Sequence, residues 1–372
     1  MSFVRSFSGV VRLFCLVALG TICLLALAQD ATPVTAHAKE TPAVAMPSDP
    51  RELMLLAAKT NGLTGDDVKP WHVKITFQSG QQAAEHGTIE EWWSSDKHYK
   101  IAITSTHFEQ TEYGTESGIL RSGVRGSAPS ILVKMRNDIL HPIPLRPEQL
   151  GNLKIKMRAR KIGEAMLSCL SVDGSTPATA EDAIKPYTYC LDSDLPVLRM
   201  RIYPGSGDRH IYNHIVRFQN RYIAKEIEYA FGGLNGQKPG AYWTAQIDVL
   251  ETLTPADAKE FDPPAGTLPA IKTVTVAEKD SKLLLLDHPK PVYPPIAIAV
   301  HVTGSVVLHA TVEVDGRIRE LVFVSGPLML QQAAFDAAKR YTFKPYMVDG
   351  DAAEMETTIT VPFTLRPGEL PN

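Results

Sequence analysis

Trp71-His72-Val73-Lys74-Ile75-Thr76-Phe77 places a large apolar side chain at every second position. That is the period of a β-strand with one face buried; a helix would scatter Trp71, Val73, Ile75 and Phe77 around its axis. Similar stretches follow at Tyr99 to Thr104, Ile131 to Met135, Leu153 to Ala159, Leu167 to Val172, Val197 to Tyr203, Ile211 to Phe218, Tyr222 to Phe231 and Ala241 to Leu253. Gly, Asp, Asn or Pro fills nearly all the breaks, as in Pro204, Gly205, Ser206, Gly207 and Asp208. The spacing predicts consecutive antiparallel strands in one large curved sheet. A parallel α/β fold is disfavoured, because no helix of crossover length separates the strands.

Upstream of Trp71, Pro50 opens a helical stretch from Arg51 to Asn61 with Leu53, Leu56 and Ala57 on one face, and Gly62 ends it. Residues 29–49 are rich in Ala, Thr and Pro, which cannot bury enough apolar surface to offset chain entropy, and read as a disordered tether. Arg5 and Arg12 precede an apolar run from Leu13 to Ala28 that closes on Ala26, Leu27 and Ala28. This reads as a Sec-type secretory signal over residues 1–28 and predicts a periplasmic protein. The run is shorter than the roughly 20 residues of a comfortable membrane span, and an uncleaved inner-membrane anchor facing the periplasm is the other reading. Outside that run only Cys169 and Cys190 remain, an even count that in an oxidising compartment reads as a disulfide, with two buried thiols as the rival.

The 372 residues suit two domains, and their 38 Lys and Arg against 41 Asp and Glu lack the basic excess of a nucleic-acid binder. Enzyme signatures are missing: the chain has no GxSxG, HExxH or GxGxxG, and no nucleophile and base pair can be assembled, so a non-enzymatic role needing no cofactor is expected. His210 and His214 are four apart, but in a strand that spacing puts them on one face about 13 Å apart, too far for one metal ion. Lys154, Lys156, Arg158 and Arg160 alternate with apolar residues and gather on one side of a strand. That face reads either as a patch for an anionic headgroup or as a solvated outer face whose cations discourage edge pairing. Trp92, Trp93, Tyr99, Phe108, Tyr113 and Trp243 supply either a packed core or the walls of a cavity, with the helix near Leu53 as its cover.

Pro255 to Pro269 is proline-studded and ends the sheet; residues 264–284 read as a linker, polar from Thr273 to Lys282. A second pattern follows. Val306, Leu308, Ala310, Val312 and Val314 alternate, Asp315 and Gly316 mark a hairpin turn, and Ile318 to Val324 returns. Ser325, Gly326 and Pro327 start a helix with Leu330, Ala334, Ala337 and Tyr341 on one face, and Met355, Thr357, Ile359, Val361 and Phe363 form a last strand. The result is an α+β chain: a large antiparallel half-barrel over residues 50–263, then a small ββαβ unit over 285–366, with 367–372 as a tail.

Pro291, Val292, Tyr293, Pro294, Ala297, Gly304, Asp315, Gly316, Ser325, Gly326, Tyr341, Phe343, Pro345 and Gly350 follow the order and spacing of TonB C-terminal domains, which the last 80 or so residues closely resemble. The resemblance implies capture of an extended segment, the TonB box of an outer-membrane receptor, as an added strand beside the last strand. On this chain the edge would be Glu354, Met355, Glu356, Thr357, Thr358, Ile359, Thr360 and Val361, and Pro362, which has no N–H to donate, would end it. Two departures weigh against force transmission and inner-membrane motor contact: the Leu13 to Ala28 run has no His, and a folded domain replaces the family's Pro-rich spacer. With the early Trp71 strand, the Glu90-Glu91-Trp92-Trp93 segment, the Cys190-Leu191-Asp192 run and the long meander, residues 51–263 resemble the LolA/LolB-like periplasmic lipoprotein carriers, which implies a lipid or acyl chain sheltered by the half-barrel as the alternative function.

Overall fold

The computed structural model describes residues 46–63, 65, 67–80, 85–145, 150, 153–173, 187–203, 207–230 and 241–365. The signal run, nearly all of the tether and the 367–372 tail lie outside the described residues.

Among the described residues thirteen strands form the first sheet: β1 (Trp71–Ser79), β2 (His86–Ser95), β3 (His98–Ser105), β4 (Glu109–Thr115), β5 (Gly118–Gly123), β6 (Lys154–Ile162), β7 (Ala165–Asp173), β8 (Thr188–Asp192), β9 (Leu198–Ile202), β10 (Arg209–Phe218), β11 (Arg221–Ala230), β12 (Ala241–Thr252) and β13 (Leu268–Pro269). Their order is β13-β5-β4-β3-β2-β1-β12-β11-β10-β9-β8-β7-β6. The chain therefore meanders outward from β1 to β5, restarts at the far edge with β6, and works back until β12 pairs antiparallel with β1, Trp71 opposite Thr252. This is the curved antiparallel half-barrel that the alternating stretches predict.

Helix α1 (Pro50–Thr60) begins where expected: Asp49 accepts the N–H groups of Arg51 at 2.8 Å and Glu52 at 3.1 Å, and Pro50 sits in the first turn, where no N–H is missed. A second helix, α2 (Ser130–Leu140), stands where the sequence predicts a strand at Ile131 to Met135. The alternation there is coincidental; Leu132, Met135 and Ile139 are spaced for a helix and are among the residues buried. Both helices lie on the same face of the sheet. Leu53, Met54 and Ala57 of α1 and Leu132, Met135 and Leu140 of α2 share one core with Val73, Ile75, Ile89, Ile227 and Ile247. Each fully buried Val, Leu, Ile or Met among them stabilises the fold by about 1.5–3 kcal/mol.

The second sheet belongs to the terminal unit. Its elements are β14 (Thr273–Thr275), α3 (Glu278–Ser281), β15 (Leu285–Asp287), α4 (Pro295–Ala299), β16 (Gly304–Val312), β17 (Ile318–Ser325), α5 (Leu328–Ala338), β18 (Thr342–Phe343), β19 (Tyr346–Val348) and β20 (Asp351–Phe363). The order is β14-β20-β16-β17, with β19 beside the start of β20 and β15 paired to β18. The ββαβ core is as predicted: Val306, Leu308, Ala310 and Val312 of β16, beside Ile359, Val361 and Phe363 of β20, share one core with Leu330, Ala334 and Ala337 of α5. The Asp315–Gly316 turn is closed by Gly316 N–H to the Glu313 carbonyl at 2.9 Å. Gly316 has φ 85°, and a Cβ there would lie 1.9 Å from the Phe343 carbonyl oxygen, so only glycine serves.

The stretch read as a linker is structured and joins both sheets. β13 pairs with β5, and β14 pairs in parallel with the start of β20. Nearby, the buried carboxylate of Glu354 accepts the Ser127 N–H at 2.7 Å and the Thr273 hydroxyl at 3.1 Å, and lies 3.4 Å from Arg319. Arg319 also donates to the Ser127 carbonyl and, at 2.7 Å, to its hydroxyl. The half-barrel's 126–130 loop is thus held against the terminal sheet by hydrogen-bonded charges.

Candidate functional site

β20 pairs along its length with β16, from Gly304 opposite Phe363 to Val312 opposite Met355. Met355, Thr357, Ile359 and Val361 bury their side chains, and the even-numbered residues between them turn their backbone groups to the outer edge. Two hydrogen bonds confirm the phase: Glu354 N–H donates to the Lys272 carbonyl at 2.9 Å, and Val276 N–H donates to the Glu356 carbonyl at 2.8 Å. By alternation Thr358, Thr360 and Pro362 also direct their backbone groups outward.

That edge is partly occupied by the chain itself. β14 lies parallel on Glu354 to Glu356, which narrows the edge expected from Glu354 to Val361. Beyond it the Glu278 carboxylate of α3 accepts the Thr360 N–H at 3.0 Å and the Thr360 hydroxyl at 3.1 Å, and Lys282 steadies Glu278 at 2.8 Å. Partial burial would raise the Glu278 carboxyl, but the hydrogen bonds from Lys282 and Thr360 outweigh it and hold it below the usual carboxylate range. Past Glu356 no strand covers the outer side of β20 among the described residues. The Thr358 backbone and the Thr360 carbonyl line that opening, and a groove of about 360 Å³ runs beside it, walled by Leu285, Tyr341 and Phe343 and rimmed by Lys282 and His288.

Of the motif residues, Tyr341 and Phe343 wall the groove beside this edge, and the others shape the sheet behind it. Tyr293 donates its hydroxyl to the Val302 carbonyl at 2.6 Å and meets Phe363 edge-on at 5.3 Å. Pro294 precedes α4, Ala297 is fully buried, Gly304 opens β16, Asp315 and Gly316 form the hairpin, and Ser325 with Gly326 leads into α5. Tyr341 and Phe343 are buried between helix and sheet, Pro345 is exposed between β18 and β19, and Gly350, at φ 94°, turns β19 into β20.

In the half-barrel, Cys169 and Cys190 stand opposite each other on β7 and β8 and are joined as a disulfide. Lys154, Lys156, Arg158 and Arg160 are exposed on β6, the last strand of the sheet, and form no ion pair among the described residues. His210 and His214 do not share a face: His214 takes φ 49°, breaks the alternation and meets Glu226 at 2.9 Å, whereas His210 is buried.

The concave face is more polar than the sequence suggests. Arg136 of α2 donates to both oxygens of buried Glu91 at 2.6 Å. Asp138, two residues further along α2, lies between Arg201, Lys134 at 2.9 Å and His210 at 3.1 Å, and the cations hold its carboxyl well below the usual range against the cost of burial. Burial pushes His210 down to about 4 and His141 down to about 3, the latter helped by Arg136. A cleft of about 340 Å³ remains among Trp71, Trp93, Tyr99, Ile101, Arg136 and His141.

Sequence reasoning missed Glu278 and the strand at Thr273 to Thr275. The signal for the strand was the Thr273-Val274-Thr275-Val276 alternation, a run too short to stand out.

Residues 289–365 match the family of Gram-negative bacterial TonB protein C-terminal domains. No curated protein matches the chain. Among solved structures, the chain is similar to a LolA superfamily protein from Nitrosomonas europaea, with 11% identity, 58% of this chain and 99% of that one covered, and a TM-score of 0.38. A putative outer membrane lipoprotein-sorting protein domain from Vibrio parahaemolyticus matches at 8% identity, covering 56% of this chain and 96% of that one, with a TM-score of 0.35. MucB matches at 11% identity over 85% of this chain and 94% of that one, with a TM-score of 0.27.

Proposed function

We propose that this chain, whose residues 289–365 carry a TonB-type C-terminal domain, is an exported, non-enzymatic protein of the cell envelope that docks other envelope proteins by strand addition on the outer edge of β20. The partner class is the extended plug segment of a TonB-dependent outer-membrane receptor. The observation that carries this reading is the outward backbone of Thr358 and Thr360 beyond the last β14 contact, beside an apolar-walled groove. A visiting strand would gain backbone hydrogen bonds of about 0.5–1.5 kcal/mol each, and side chains reaching the groove would set its identity. Thr357 and Ile359 point into the core, so the reporters belong on Thr358 and Thr360. Single cysteines there are expected to crosslink to a receptor plug peptide bearing a terminal maleimide; failure with peptides from several receptors rejects the reading.

A second reading, lipid or lipoprotein carriage by the half-barrel, is favoured by one feature, the aromatic cleft at Trp71, Trp93 and Tyr99. Against it, α1 and α2 pack their apolar faces against the concave side of the sheet, and α2 sets buried ion pairs in it. Organic extraction of the purified protein followed by mass spectrometry decides: a stoichiometric lipid supports carriage, and its absence leaves the half-barrel as a platform for the docking domain.

A further inference from the structure

The segment Lys272 to Lys282 does to β20 what an added strand would do. It enters parallel, Thr273 beside Glu354 and Thr275 beside Glu356, and bonds to the edge through the Lys272 carbonyl and the Val276 N–H. Its side chains alternate in role. Val276 is buried and Val274 half-buried, both against the terminal core, while Thr273 and Thr275 face outward. Where the backbone of the segment leaves the edge, Glu278 continues the pairing by accepting the Thr360 N–H, and Ser281 accepts the Thr357 hydroxyl at 2.8 Å. The Val274 and Val276 alternation suits the segment to such an edge. A polar segment joining two domains has easier paths through solvent, and this one instead satisfies most of the outer edge of the strand assigned above to partner docking.

Both ends of the segment are fixed. Before it, Ala270 and Ile271 donate to the Ile119 and Arg125 carbonyls of the half-barrel at 3.0 and 2.9 Å. After it, β15 pairs with β18. An internal strand tethered so closely has an effective concentration of about millimolar or more at its own edge, so a free strand making the same contacts cannot displace it at micromolar concentration.

Resting on the reading of β20 as the docking edge, we propose that Lys272–Lys282 is a resident ligand of that edge. A partner takes the full edge only by displacing it with a parallel strand of the same chemistry: β-branched aliphatic residues at alternate positions, followed two residues later by a carboxylate. The half-barrel, which anchors the start of the segment, then sets how readily the edge opens.

The test uses the full exported chain in three forms and a fluorescein-labelled synthetic peptide of residues 271–283, with binding read by anisotropy. One form is unaltered. The second, Thr275→Cys with Glu356→Cys, locks the segment down when oxidised, and mild reductant reopens it while the buried Cys169–Cys190 bond stays intact. The third, Val274→Asp with Glu278→Ala, loosens the segment; its melting transition confirms that it is folded. The loosened form is expected to bind the peptide at least tenfold more tightly than the unaltered chain, the locked form not at all, and reduction is expected to restore the unaltered level. Equal affinity in all three forms overturns the proposal. A receptor plug peptide that binds the locked form as tightly as the unaltered chain overturns it too, but leaves docking beyond Glu356 standing. If neither peptide binds the folded, loosened form, docking on β20 falls and the resident-ligand proposal falls with it.

Discussion

Glu320 on β17 caps a helix of the other domain: its two carboxylate oxygens accept the Ser130 N–H at 3.0 and 3.1 Å, and one of them accepts the Ser130 hydroxyl at 2.7 Å. Ser130 is the first residue of α2, and Pro129 before it has no side chain able to cap. The helix that covers the concave face of the half-barrel therefore has its N-terminal dipole answered from the terminal sheet. Glu320→Ala is expected to lower stability by about 0.5–1 kcal/mol, the lower part of the capping range because the contact is exposed. Urea unfolding followed by tryptophan fluorescence, which reports the half-barrel, should register the loss although the substitution lies outside it. An unchanged midpoint removes Glu320 as the cap.

Acidification should destabilise the half-barrel through its buried histidines. An unfolded histidine titrates near 6.5, whereas burial holds His210 near 4 and His141 near 3 in the fold. Between those values the unfolded chain binds protons that the native state refuses, so stability is full above about pH 6.5 and falls as pH drops towards 4. His210 alone accounts for a loss on the order of 3 kcal/mol across that window. Asp138, held below its usual value by Arg201 and Lys134, adds to the same trend at lower pH. Urea midpoints from pH 8 to pH 4.5 should fall in the unaltered protein and fall less in His210→Gln; parallel curves contradict the assignment.

Much of this architecture is legible because it is local. Trp71 to Phe77 reads as a strand because its pattern and its burial have the same period, and the hairpin through Asp315 and Gly316 reads because the turn residues sit next to the strands they join. Ile131 to Met135 misleads because Ile131, Val133 and Met135 satisfy a two-residue period while Leu132, Met135 and Ile139 satisfy a helical one. What decides is packing against the sheet, which no local window contains. The outer edge of β20 is harder still. Thr273 meets Glu354 across 81 positions, and Glu278 reaches Thr360 across 82. A three-residue strand and a single carboxylate carry too little pattern to announce partners so far along the chain.

The Cys169–Cys190 disulfide ties adjacent strands of the half-barrel across a separation of 21 residues, and both cysteines are buried. Closing a loop of that size restricts the unfolded chain, and replacing both cysteines by alanine should cost roughly 3 kcal/mol. The loss should appear in the half-barrel transition and leave the terminal unit's own core, built on Val306, Leu308 and Phe363, with its midpoint unchanged. Equal loss in both transitions would mean that the domains unfold as one.

Glu278 decides how firmly the outer side of β20 is closed, and its charge is the reason. The Lys282 ammonium and the Thr360 N–H and hydroxyl all favour the carboxylate, so its folded pKa lies below the unfolded one. The contact is therefore strong above the unfolded carboxyl value near 4.3 and weakens as pH falls through the lowered folded value. Hydrogen exchange at the Thr360 amide, corrected for the intrinsic acid and base rates, should show protection at pH 6 that drops by about tenfold on acidification below pH 4, the equivalent of one charged hydrogen bond partly screened by solvent. Glu278→Gln should give the reduced protection at every pH. A Thr360 amide equally protected in both proteins would mean that the edge is closed by something other than this carboxylate.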